Sequence, residues 1–118
     1  MEQANHTLIL RNLYCYFVEE WGHDDVYLKL NDQKIWPEQK RQMPIKMDTV
    51  TKLDVSVNGL VSDEIVKIEL WDWDLLSSDD LLGVFTLNVS SGGPFTTDMD
   101  PNLEETKKAK YTLEWEIT

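Results

Sequence analysis

Between Trp71 and Gly83 the chain reads Trp-Asp-Trp-Asp-Leu-Leu-Ser-Ser-Asp-Asp-Leu-Leu-Gly, and the carboxylates of this run are its best candidates for chemistry. Asp72 and Asp74 are two residues apart, so an extended backbone points both the same way. A returning loop brings Asp80 back toward that pair. Two carboxylates about 4 Å apart repel by roughly 4 kcal/mol at an effective dielectric of about 20. A hard cation with oxygen ligands removes that penalty, and calcium tolerates the irregular geometry a loop supplies. A second acidic stretch, Glu19-Glu20-Trp21-Gly22-His23-Asp24-Asp25, lies far upstream. Taken alone, each stretch reads as an ordinary solvated turn. The helix–loop–helix calcium loop is a poor match, because Ser77 stands where its glycine belongs and Gly83 where its glutamate belongs.

The elements that must position these acids are strands. Apolar residues take every second place in Val26–Leu30, Leu53–Val57, Val66–Leu70, Phe85–Val89 and Tyr111–Ile117, the pattern of half-buried β-strands. Thr7–Tyr14 is a further, less regular strand, and Lys34–Met47 holds two short ones around Ile35-Trp36 and Pro44–Met47. Turn signals at Asn31-Asp32, Asn58-Gly59, Ser77–Asp80 and Ser90–Pro94 separate them. Helical periodicity is confined to Pro101–Lys110, with Asp100 as its cap. The expectation is one all-β domain over residues 1–118, an eight-stranded antiparallel β-sandwich with loops gathered at both ends. That architecture lets the two acidic stretches face each other.

Composition narrows the function. With 11 basic and 22 acidic residues the net charge is −11, which disfavours nucleic acid, since phosphate binding needs Lys and Arg. No segment approaches the roughly 20 apolar residues of a membrane-spanning helix. A single cysteine, Cys15, excludes an internal disulfide and a cysteine-rich zinc site. Without a secretory pattern at the start, the chain reads as cytoplasmic. No Ser-His-Asp arrangement, phosphate-cradling glycine loop or activated cysteine suggests an enzyme.

The two acidic stretches together resemble the C2 domain family, the calcium-dependent membrane-targeting modules of protein kinase C and the synaptotagmins. Trp71–Gly83 follows the Trp-Asp-x-Asp, five residues, Asp-x-x-Gly of that family's third loop without a gap, and Asp25-Val26-Tyr27-Leu28-Lys29 resembles its Asp-Pro-Tyr-Val-Lys segment. Six residues before Asp25 stands Glu19, where the family has Asp. The resemblance implies a non-catalytic C2-like module whose Glu19, Asp25, Asp72, Asp74 and Asp80 hold Ca2+. It also implies that Trp21, Leu75 and Leu76 at the loop tips meet an anionic phospholipid membrane, making the chain a peripheral membrane protein when engaged. Lys34, Lys40, Arg41 and Lys46 resemble the basic patch that some C2 domains turn to headgroups, but Glu38 and Asp48 dilute it into an ordinary mixed surface. Two other readings stay open: a protein-interaction module of the same fold with weak or no calcium dependence, and a carbohydrate-binding sandwich with structural calcium.

Overall fold

A computed structural model describes residues 4–19, 21–100 and 109–118. Along them run nine strands: β1 (Ala4–Phe17), β2 (Asp24–Leu30), β3 (Gln33–Trp36), β4 (Met43–Ile45), β5 (Thr49–Val61), β6 (Ile65–Asp72), β7 (Asp80–Asn88), β8 (Gly92–Asp98) and β9 (Lys110–Ile117). Each alternating segment became a strand with its apolar side inward. Val26, Leu28 and Leu30 of β2 are buried, as are Val66, Ile68 and Leu70 of β6 and Tyr111, Leu113 and Ile117 of β9. Leu8, Leu10, Leu13 and Cys15 of β1 complete the middle of the core.

The strands form two antiparallel sheets. One has the order β5-β1-β9-β8, and the other the order β3-β2-β6-β7, with β4 continuing the β3 side of β2. The shared core lies between them, so the molecule is an all-β sandwich. Asn31 and Asp32 both adopt left-handed backbone (φ 47° and 70°). That is what a two-residue hairpin turn demands, and it pairs Leu30 with Gln33.

Two features differ from the sequence reading. Asn58-Gly59 does not end a strand: β5 runs on to Val61, and the register slips there, with His6 opposite Leu60 and Leu8 opposite Val57. Gly59 absorbs the extra residue in left-handed backbone (φ 78°), a bulge and not a turn. Gly92–Asp98 adds one strand to the eight expected. Its side chains are mostly exposed, so no alternation marks it, and pairing with β9 holds it in place. The expected helix over Pro101–Lys110 falls mainly on residues 101–108, outside the described ones, and Lys110 itself opens β9.

Candidate functional site

The acidic residues meet at one end of the sandwich because three neighbouring strands begin or end there. Asp72, the last residue of β6, pairs with Val26 of β2 on one side and Asp80 of β7 on the other. A β-bulge makes the second pairing possible. Leu70 faces Gly83 but Trp71 faces Leu81, so β7 carries one extra residue. Without that shift Asp72 would oppose Leu81; with it, Asp72 and Asp80 are direct cross-strand partners on one face. Beside them the backbone N–H of Asp25 donates to Asp72 Oδ1 at 2.9 Å, and the Trp73 N–H donates to the Asp25 carbonyl at 2.7 Å. The Asp72 carboxylate is thereby held at the mouth of the core, 1% exposed.

The remaining acids belong to the loops and strand start around this mouth. Asp74 folds its own loop: its carboxylate accepts from the Leu76 N–H at 2.9 Å and the Ser77 hydroxyl at 2.8 Å. These bonds, the Leu76 one foremost, hold its carboxyl below the usual aspartate range. Glu19 follows the end of β1, and its Oε2 accepts from the Ala109 N–H at 3.2 Å. Asp25 Oδ1 is 3.4 Å from His23 Nε2, with the imidazole exposed.

All five predicted acids therefore share one pole of the molecule. Their oxygens are hard donors of the kind calcium takes. Most of them, however, are turned toward protein donors, and among the described residues no three Asp, Glu, His or Cys side chains are arranged as a metal-holding group. The donor chemistry fits a calcium ion.

Two acids that the sequence reading did not single out hold the loops. Asp24 is wholly buried. Both of its oxygens accept from the Glu19 N–H at 3.0 Å, and Oδ2 accepts from the Tyr111 hydroxyl at 2.7 Å. It thus ties the first loop to β9 of the opposite sheet. The signal was available: Asp24 is in phase with Val26, Leu28 and Leu30 and so faces inward. Asp79 accepts from the Asp74 N–H at 3.0 Å and from the Tyr27 hydroxyl, closing the Asp74–Asp79 loop onto β2. No periodicity announces that role.

Trp21 is fully exposed, and Leu75 and Leu76 project from the loop between β6 and β7. Of the expected basic group, Lys34 donates to the Lys40 carbonyl, while Arg41 lies 5.1 Å from the Trp73 ring centre. Lys29 lies over Trp71 at 4.9 Å. Trp115 packs against Phe95 and Phe85 and donates to Thr97 at 3.0 Å. Cys15 is buried, and burial pushes its thiol above the usual cysteine value, the opposite of what a nucleophile needs.

No family model matches the chain, and no curated protein matches it significantly. Solved structures do. A structure described as a C2 domain superposes with a TM-score of 0.58 over 96% of this chain and 98% of its own, at 18% identity. This is the C2 fold. A C2 domain of plant extended synaptotagmin 1 superposes on 98% of the chain and 94% of its own length, at 12% identity and TM-score 0.54. BON1-C2B does so at 15% identity and TM-score 0.52, over 98% and 93%. Human GIVD cytosolic phospholipase A2 matches through only 17% of its length, at 12% identity and TM-score 0.54, so the likeness covers one part of that enzyme. At such identities the shared property is the C2 fold itself.

Proposed function

We propose that the chain is a non-catalytic, calcium-binding C2 module that brings its acidic loop end to an anionic phospholipid surface from the cytoplasm. The observation that carries this reading is the meeting of Asp25, Asp72 and Asp80 on adjacent strand ends, directly beneath loops that expose Trp21, Leu75 and Leu76. Glu19 and Asp74 stand within the same pole and complete the acidic set. Bound calcium would supply positive charge that offsets the carboxylates and accepts lipid phosphate oxygens. The protein's own part is to hold Asp72 and Asp80 in register, to keep the β6–β7 loop folded through Asp79, and to present apolar tips to the bilayer. Burying Leu75 and Leu76 in lipid contributes about 1.5–3 kcal/mol each.

Isothermal calorimetry tests the calcium step. Saturable heat at or below millimolar calcium is expected, and its absence rejects the proposal. Co-sedimentation with phosphatidylserine vesicles tests the second step: pelleting with calcium and not with chelator is expected. A groove of about 460 Å³ between the sheet edges, where Ile35, Trp36, Leu53, Val55 and Val57 are interleaved with Glu38, Asp54 and Ser56, favours the protein-interaction reading as the alternative. Vesicle binding that ignores calcium, or fails altogether, shifts weight to it. For a sugar ligand the tryptophan platform is reduced to Trp21, since Trp36 is buried, Trp115 is engaged internally and Trp71 and Trp73 lie under cations.

A further inference from the structure

Among the described residues, nine large apolar side chains are exposed, and all but Ile65 and Phe95 crowd the loop end. Three of the crowd are Trp21, Leu75 and Leu76. The other four, Tyr16, Phe17, Met47 and Val50, lie off the acidic loops, on one shoulder of the molecule. Strand pairing places them together: Tyr14 faces Val50, Cys15 faces both Thr49 and Tyr111, and Phe17 faces Lys110. Met47 sits in the turn that leads into β5. Phe17 is 54% exposed and Val50 59%, whereas Leu13 and Cys15 of β1 and Leu53 of β5 are buried.

The shoulder differs from the loop tips in charge. It bears Lys46 and Lys110 against Asp48, and Lys110 Nζ lies 5.3 Å from the Tyr16 ring centre. The tips bear Glu19, Asp25, Asp74, Asp79 and Asp80. Apolar residues mixed with cations and a tyrosine suit the headgroup boundary of an anionic membrane, where rings and lysine stems enter the apolar layer and polar ends stay wet. The surface is spread over a strand end and a turn. A fluid bilayer conforms to such a shape, whereas a folded partner would need a matching concavity.

We propose that this shoulder is part of a lipid-contact surface, so that the domain leans on the β1–β5 side of its loop end and does not stand upright on the loop tips. The proposal deepens the membrane reading above and depends on it. Single cysteines replacing Trp21, Leu76, Phe17, Val50 and Ile65, each carrying an environment-sensitive bimane, report which positions leave water. The native Cys15 is buried and stays unlabelled. With phosphatidylcholine–phosphatidylserine vesicles and calcium, blue shifts are expected at positions 21, 76, 17 and 50, and none at 65. Shifts at 21 and 76 alone overturn the lean while leaving the membrane reading intact. No shift anywhere, with no pelleting, overturns both. Shifts at 17 and 50 that grow with protein concentration in the absence of vesicles make the surface a contact between copies of the chain and overturn the lipid assignment. Phe17→Ala combined with Val50→Ala should weaken vesicle partitioning about tenfold with an unchanged unfolding midpoint, and full retention of partitioning counts against the proposal.

Discussion

Asp24 and Tyr111 illustrate what single residues contribute at the loop end. A buried carboxylate is costly unless its oxygens find donors, and Asp24 finds the Glu19 N–H and the Tyr111 hydroxyl. Asp24→Ala strips both donors of their acceptor and should lower stability by about 2–3 kcal/mol in urea unfolding. A loss below about 0.5 kcal/mol, the range of ordinary surface changes, would show that the first loop is anchored elsewhere. Tyr111 also makes stability pH-dependent. Burial, and then the bond to Asp24, raise its hydroxyl above the usual tyrosine value, and burial does the same for Tyr27 beside Asp79. A raised folded pKa stabilises the fold fully below the unfolded value of about 10 and loses that contribution as pH climbs past it. Stability should therefore fall above about pH 10, with the buried Tyr111 contributing up to about 1.4 kcal/mol per pH unit, and Tyr111→Phe should reduce the slope.

At the scale of elements, the bulge in β7 and the segment that crosses it set the site's geometry. Val84 and Asp100 exchange backbone hydrogen bonds at 2.9 Å, so the chain after β8 passes from one sheet to the edge of the other. It lies close over Gly83, where an added Cβ would come within 2.7 Å of Met99 Cβ. Gly83→Ala should cost about 1–3 kcal/mol through that overlap. Because Gly83 adjoins the bulge that brings Asp80 opposite Asp72, the same change should also weaken calcium binding in calorimetry. Wild-type stability in the variant would mean that the crossing segment moves aside freely. The Asp-x-x-Gly ending of the acidic run thus has a packing role as well as a spacing role: its glycine admits Met99.

Over the whole molecule, a cluster of carboxylates and most of the exposed large apolar side chains meet at the same pole. The chain carries −11 overall, with carboxylates from β2, β6, β7 and two loops held at one end. On the proposed function, a divalent ion that binds only the folded state relieves their mutual repulsion. Calcium at 100 times its dissociation constant should then raise unfolding free energy by about 2.7 kcal/mol. Asp72→Asn with Asp74→Asn should abolish that gain, while the asparagine oxygens keep accepting from the Asp25 and Leu76 N–H groups. A calcium-dependent gain that survives in the double variant would place the ion away from this pole.

Alternation between apolar and polar residues determined the sandwich, since period-two patterning leaves only one face of each strand fit for a core, as in Val66–Leu70 and Tyr111–Ile117. Residue type and spacing likewise determined which acids to consider. Position along the chain could not decide how those acids face one another. That depended on an extra residue in β7, which shifts the pairing by one and turns Asp80 toward Asp72. It depended also on Asp24 and Asp79, whose hydrogen bonds reach elements distant in sequence. The apolar shoulder was hidden for a related reason: Phe17 continues the phase of the buried Leu13 and Cys15, and only the packing of two sheets reveals that the core leaves it uncovered.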